Sequence, residues 1–348
     1  SPRHSVAGAV TDTVGFGVVG ARSFVANAAV LPAIDAAANA RVAATASNSG
    51  DVPARWAATQ VESYDAVLDH PDVDAVYIPL PNGMHREWTE RAAAAGKHVL
   101  CEKPLAADAE TAAAMAEACA RSGVLLAEAW MTPFDRRWAT TIELARNGAV
   151  GPVDGQYHRF TFTIGPEAAD NYRWDPAQGG GALLDVGIYC IGTAVELWGP
   201  GAEVIAVERQ MTPDGVDAST VADLAWPDGR QARAVCSFID TEHQQATFHG
   251  SDGMLMLERA AFTSGDPLDH VVVRSSTSTT GAAPVDLPLH APPSSMSDAS
   301  LVEQFSVEPG DPYRQMVETF ADAIRGIREW PRPVERSIEL LELLERIA

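Results

Sequence analysis

Between Val14 and Met131 five short apolar runs, FGVV, RVAATA, AVYIPL, HVLCE and VLLAEAW, alternate with Ala-rich stretches of helical composition. Short, uninterrupted apolar strands with room for a helix between each pair fit a parallel sheet whose crossover helices cover both faces. The clearest of these helices runs over ETAAAMAEACARS, where Gly123 supplies the stop signal.

This spacing predicts a doubly wound α/β domain of Rossmann type over residues 13–131, after a flexible N-terminus at 1–12. Beyond Met131 the texture changes. VDGQYHRFTFTI, EVIAVERQM, STVADLAW, ARAVCSFID, QQATFHG and GMLMLER alternate and are separated by turn residues such as PDG and SDG, which predicts a large, mostly antiparallel sheet. One strong helix, ALLDVGIYCIGTAVELW, interrupts it, starting after a triple glycine and stopping at Gly199-Pro200. The Ser/Thr/Pro-rich segment 274–300 reads as a long loop or flap. Two helices in 311–348 close the chain and are expected to pack at the domain junction. The second domain, 132–348, is therefore α+β.

Composition sets limits on partners. A chain of 348 residues with 46% hydrophobic content can fill two cores. Its net charge of −22, from 47 acidic against 25 basic residues, repels polyphosphate backbones and argues against nucleic acid or an anionic membrane as partner. The four cysteines, Cys101, Cys119, Cys190 and Cys236, form no C-x-x-C pair, so neither a zinc site nor a disulfide framework is expected. With no apolar run near the ~18 residues of a membrane span and no apolar leader in SPRHSVAGAV, the expected location is cytoplasmic.

The stretch GFGVVG, Gly15 to Gly20, matches the dinucleotide pattern G-x-G-x-x-G. In a phosphate-binding loop the first glycine ends the first strand, so that the next helix N-terminus faces the pyrophosphate. Gly15 and Gly17 lie inside the strand. Gly20 ends it, which places the cofactor loop at Gly20-Ala21-Arg22-Ser23-Phe24-Val25. Ser23, at the helix start, can cap the helix or touch phosphate. The second strand ends in TASNSGD, without the carboxylate that reads an NAD ribose. Ser47, Asn48 and Ser49 suit a 2′-phosphate, with Arg55 a turn or two further on, so NADP is expected in preference to NAD.

Three further pieces fall together. PNGMH, with Pro81, Asn82 and His85, follows the third strand; CEKPL, with Glu102 and Lys103, follows the fourth; and YRWDPAQGGGALLDVGIY opens the second domain's helix. The first two sit at the carboxyl ends of parallel strands, where open α/β sheets bind ligands. Through Glu102-Lys103-Pro104 and the run from Gly179 to Tyr189 the chain resembles the Gfo/Idh/MocA family of oxidoreductases, over nearly its whole length. Within it the chain is most similar to the branch of dihydrodiol dehydrogenase and NADP-dependent D-xylose dehydrogenase, since Tyr189 stands where many other branches have His. The resemblance implies a nicotinamide cofactor held in part by Pro81, Asn82, His85, Glu102 and Lys103. It also implies a sugar-like or vicinal diol substrate, and a homodimer or homotetramer formed through the second domain's sheet. EAWMTPFDRRW departs from a commoner family form, with Pro133 in place of Arg and Asp135 in place of His.

Hydride transfer to or from an alcohol carbon needs a group to move the hydroxyl proton and a positive charge beside it. Tyr189 suits the first task and Lys103 the second; a nearby ammonium favours the phenolate over its ordinary pKa of about 10. Asp185, four residues before Tyr189, projects from the same helix face and can hold Lys103 or a substrate hydroxyl. Arg173 and Trp174 can frame the substrate. Each residue also has a plain reading: Asp185, Tyr189, Thr193 and Glu196 as a solvated stripe, Lys103 as a surface charge with Glu102 as its local partner, and Trp174 as packing. Asn82-Gly83 can be a left-handed turn with His85 capping the next helix. The same residues leave two other functions open, a hydrolase or lyase that retains cofactor for transient oxidation, and a non-catalytic sensor.

Overall fold

In the computed structural model, which describes residues 13–168, 170–257, 261–263, 270–275, 301–307 and 310–348, the first strand, β1 (Val14–Val19), is buried at all six positions. It pairs in parallel with β2 (Ala40–Ala46) on one side and β3 (Ala75–Ile78) on the other. β4 (His98–Glu102) and β5 (Leu126–Ala129) complete a five-stranded parallel sheet of order β2-β1-β3-β4-β5. The chain goes from β1 out to β2 and returns to β3 on the far side, so the crevice beyond the ends of β1 and β3 is the topological switch point.

The register explains the glycines of GFGVVG. A Cβ on Gly15 would collide with the Asp72 carbonyl and one on Gly17 with Val67, so both serve close packing within the domain. Gly20 has φ +90° and is the residue that turns the chain out of the strand.

α1 (Leu31–Ala36) continues a π-turn over Ala26–Val30. α2 (Tyr64–Leu68) and α3 (His85–Ala94) follow β2 and β3. α4 (Ala109–Ser122) begins at Asp108, whose carboxylate accepts the Thr111 N–H at 2.7 Å, and ends at Gly123 with φ +68°; such a cap is worth about 1 kcal/mol. α5 (Arg136–Arg146) leads into the second domain.

There, β6 (Val153–Thr163), β7 (Glu203–Met211), β8 (Asp217–Ala225), β9 (Gln231–Ser237), β10 (Ile239–Gly250), β11 (Gly253–Leu257), β12 (His270–Ser275) and β13 (Leu301–Ser306) form one sheet. Its order is β13-β12-β11-β10-β6-β9-β8-β7, antiparallel except for β6 with β9. α6 (Ile188–Trp198) lies on its inner face, buried from Ile188 to Val195. The run Pro176–Trp198 is long and apolar enough to cross a bilayer, but it is mostly buried inside the protein and serves as core.

The two closing helices part company. α8 (Val334–Ile347) packs on α4, β5, α6 and β7. α7 (Pro312–Ile324) lies instead against α1 and β2, with Phe320 on Phe16, so it belongs with the first domain. One apolar core runs from Val76 and Ile78 of the parallel sheet through Trp130 and α6 to Phe248 of the second sheet, so one face of the first domain shares its interior with the second. Residues 1–12 and the greater part of the Ser/Thr/Pro-rich segment, 276–300, lie outside the described residues, whereas Arg274 and Ser275 end β12.

Candidate active site

The site forms where the end of β4 meets the start of α6. Lys103 follows β4 directly, and the Lys103–Pro104 peptide is cis. Its ammonium donates to Asp185 Oδ1 at 2.9 Å and to the Asp185 carbonyl at 2.7 Å, and sits 4.8 Å from the centre of the Tyr189 ring. Arg173 donates from Nε to the other Asp185 oxygen at 2.6 Å. One carboxylate is thus gripped by two cations. Asp185 rides on a π-turn, Leu183–Gly187, that runs into α6, and such single π-turns occur often at functional sites. Asp217 holds the start of this turn by accepting the Leu183 N–H at 2.8 Å, and a side chain at Gly181 would collide with it.

The electrostatics follow from burial against pairing. Burial raises the Asp185 pKa, but Lys103 and Arg173 overcome it and hold the carboxyl well below its usual range. Burial likewise works to lower Lys103, and Asp185 reverses that, so the ammonium is held above its ordinary value. Tyr189 is pushed well above the ordinary phenol, by burial first and then by the negative charges of Glu102 and Asp185. This corrects the expectation of a phenol drawn towards phenolate by Lys103. The ammonium is committed to Asp185 and lies over the ring face, so Tyr189 rests as a proton-bearing acid.

Glu102 is buried, accepts the Tyr77 hydroxyl at 2.7 Å and the Lys103 N–H at 3.1 Å, and burial raises its pKa. Tyr189 packs on Phe160 and Phe262, with centroids at 5.5 and 6.1 Å, which walls its ring from water. Two tyrosines absent from the sequence reading join the set. Tyr172 lies under the Arg173 guanidinium at 4.8 Å and interacts electrostatically with Lys103 and Asp185. Tyr313, from the start of α7, interacts with Tyr189, Glu102 and Lys103. Tyr172 is adjacent to Arg173 in YRW and was within reach of pattern reading; Tyr313 comes from more than a hundred residues away and carries no local signal.

Other expected residues fall elsewhere. His85 is fully buried, with Nδ1 3.1 and 3.2 Å from the Pro104 and Leu105 carbonyls and Nε2 2.8 Å from the Leu80 carbonyl, and burial lowers its pKa. It ties the loops after β3 and β4 together, which replaces both the expected cofactor contact and side-chain capping of α3. Pro81 precedes a 3-10 turn, Asn82–Met84, and Gly83 is not left-handed; a Cβ there would meet the Ala177 carbonyl at 2.8 Å. Asn82 donates to the Gly179 carbonyl at 2.8 Å, linking the β3 end to the triple glycine. Trp174 packs edge-on against Phe238 at 5.5 Å, still half-buried. Asp135, in the departure segment, caps α5 through the Arg137 and Trp138 N–H groups.

At the switch point the Gly20 and Ala21 N–H groups bond the Ala46 carbonyl at 3.0 and 2.9 Å, bringing the loop 20–25 beside the end of β2. Ser23 takes the capping role, accepting the Ala26 N–H at 3.1 Å. Asn27 donates to the Ala21 and Ser23 carbonyls at 2.6 and 3.0 Å, holding the loop against the helix. Phe24 projects into solvent, 88% exposed. Arg22 reaches across to the loop after β2, donating to the Asp51 carbonyl at 3.2 Å, near Ser47 and Ser49, whose hydroxyls lie 3.0 Å apart. Arg55 stacks on Trp56 at 4.4 Å. Arg22, and not Arg55, is the cation whose hydrogen bond reaches the loop after β2. A left-handed turn, a helix start and a guanidinium beside hydroxyls fit a phosphorylated dinucleotide. Gln178, whose Cα lies against Gly83, has a buried side-chain oxygen with no hydrogen-bond partner.

Residues 14–129 match the GFO/IDH/MocA oxidoreductase family with NAD-binding Rossmann fold, and residues 138–256 match the GFO/IDH/MocA C-terminal domain. A D-xylose 1-dehydrogenase (NADP(+)) of Haloferax volcanii is 32% identical over 95% of both chains. A dTDP-3,4-didehydro-2,6-dideoxy-alpha-D-glucose 3-reductase of Streptomyces violaceoruber is 39% identical over 66% of this chain and 69% of its own. Among solved structures, a 3-ketoreductase from Actinomadura kijaniata in complex with NADP and TDP-benzene superposes with a TM-score of 0.82, at 28% identity and 96% coverage of both chains.

Proposed function

The chain belongs to the Gfo/Idh/MocA family of oxidoreductases, and from that premise we propose that it transfers a hydride between NADP and a secondary alcohol or carbonyl of a sugar or cyclic vicinal diol. The observation that carries this reading is the Lys103 ammonium, 2.9 Å from Asp185 and 4.8 Å from the Tyr189 ring, at the carboxyl end of a parallel sheet whose first strand ends in the Gly20 loop. The loop 20–25 would hold the pyrophosphate, and Arg22 with Ser47 and Asn48 the 2′-phosphate. When bound, the nicotinamide gives or takes the hydride.

The chain's own residues handle the proton and the charge. In the reducing direction Tyr189 donates its proton to the carbonyl oxygen and is left as phenolate; in the oxidising direction the phenol must first lose its proton to solvent, and the phenolate then takes the hydroxyl proton. Lys103 stabilises the charge that develops on that oxygen. Asp185, itself held by Arg173, fixes where the ammonium lies, and Phe160 and Phe262 exclude water from the phenol ring.

Nicotinamide absorbance, read with NADP and NAD against aldoses, inositols and cyclic diols, tests the reading; no change with any of them overturns it. Arg22→Ala is expected to lower kcat/KM for NADP by roughly tenfold to a hundredfold, the scale of one charge-assisted hydrogen bond, with NAD kinetics unaffected.

Self-association through the sheet's outer face, as a homodimer or homotetramer, belongs to the same proposal. Tyr157, Val221 and Val235 lie half-buried there around the Asp223–Arg233 ion pair, lining a shallow hollow of about 180 Å³. The alternating pleat points these side chains away from α6. Val235→Glu is expected to shift the mass seen by light scattering to that of a monomer; an unchanged mass places the interface elsewhere.

A further inference from the structure

Arg332, in the segment before α8, is buried and makes contacts to both halves of the site. From Nη1 it donates to Glu128 Oε2 at 2.6 Å and to Ser337 Oγ at 2.5 Å, and from Nε to Glu196 Oε1 at 3.2 Å. Its guanidinium lies 4.7 Å from the centre of the Trp130 ring. Glu128, at the end of β5, uses its other oxygen to accept the Leu105 N–H at 2.9 Å, two residues beyond Lys103. Glu196 is on α6, two helical turns from Tyr189. Trp130 fills the space beside Gly192, where a Cβ would stand 3.0 Å from the indole.

We propose that Arg332 is a positioning residue for hydride transfer, a buried clamp that sets the loop carrying Lys103 at a fixed distance from the helix carrying Asp185 and Tyr189. One guanidinium fork, with its planar and fixed geometry, spans the carboxylate that anchors the loop and the carboxylate that anchors the helix. Neither carboxylate is hydrogen-bonded to Lys103, Asp185 or Tyr189, so the positioning effect passes through the backbone of Leu105 and of α6, while the charge of Glu128 also helps to raise the Tyr189 pKa. The proposal rests on the roles given above to Lys103 and Tyr189.

The test exploits a property of the sequence: its only lysines are Lys97 and Lys103. Lysine labelled with 13C at Cε therefore gives two side-chain signals, and Lys97, bound to the Val73 carbonyl at 2.7 Å, is an internal control. The variants are Arg332→Met and Glu196→Ala. The first strips a buried carboxylate of its partner and can cost the fold; the second removes a side chain 34% exposed and carries the test alone if needed.

Expected are a fall in kcat of roughly tenfold to a hundredfold, NADPH affinity within about twofold of the parent, and a shifted Lys103 signal beside an unmoved Lys97 signal. Unchanged kcat, NADPH affinity falling in step with kcat, or the two lysine signals moving together each overturns the proposal. The lysine signals need no turnover, so this test stands apart from the substrate panel and from substitution of Tyr189.

Discussion

Tyr189→Phe is expected to lower kcat by about 10²- to 10⁴-fold, the range that a positioned proton donor contributes, while NADPH binding, measured by fluorescence titration, stays at the parent level. The substitution removes one oxygen and leaves the ring on Phe160 and Phe262, so packing is preserved. Because burial and the neighbouring carboxylates hold the phenol well above its ordinary pKa, it stays protonated through neutral and mildly alkaline solution. The reducing reaction of the parent should therefore show no alkaline loss from this group below about pH 10. Turnover unchanged in the Phe variant would remove Tyr189 from the reaction and with it the proton path.

Lys103→Met should be nearly as damaging, by about 10²- to 10³-fold in kcat, as for loss of a preorganised donor to a developing oxyanion. It carries a second signature. Lys103 is the largest of the influences that lower the Asp185 pKa, and burial opposes them. Without the ammonium the carboxyl pKa rises, with Arg173 alone restraining it, so an acid limb should enter the pH–rate profile at higher pH than in the parent. The sign is fixed: a depressed carboxylate is ionised, and contributes its stability, until pH falls through its folded value. A Met variant that loses rate with no change on the acid side would show that Lys103 and Asp185 do not act as a pair.

Much of this molecule is legible in its residues, for reasons that differ along the chain. The five parallel strands are short apolar runs buried on both faces, and nothing else in 13–131 resembles them. The register of Gly20 follows from asking where a strand must end for a helix to face phosphate. β12 and β13 were missed, since HVVVRS borders the Ser/Thr/Pro-rich segment and its partner LVEQFS lies beyond it, a pairing no local pattern announces. The first five residues of β10, Ile239 to His243, are exposed, and Thr241 to His243 fall between ARAVCSFID and QQATFHG, which the sequence pattern keeps apart as two strands.

At the site, Lys103 is visible in the EKP that follows the fourth strand and Arg173 and Asp185 on either side of the glycine run, and the structure brings the three together. What stayed hidden was the direction of the effect on Tyr189. Spacing says who is near, whereas burial and the commitment of the ammonium to Asp185 decide which protonation state wins. His85 was misread because a histidine after a ligand-binding strand and a histidine that ties two loops have the same local sequence. Arg332 and Tyr313 reach the site from chain segments whose own neighbourhoods give no reason to look.

The π-turn Leu183–Gly187 makes the relation of Asp185 to Tyr189 a matter of counting. A π-turn is an α-helix with one residue too many, and the surplus is absorbed locally. Deleting one residue of LLDVG would let the ladder close as ordinary helix with both flanks kept in register, but a deletion at Val186 or Gly187 would shorten the spacing of Asp185 from Tyr189 from four residues to three. The number of residues between Asp185 and Tyr189 therefore matters to the pairing of carboxylate and phenol as much as the identity of the two side chains.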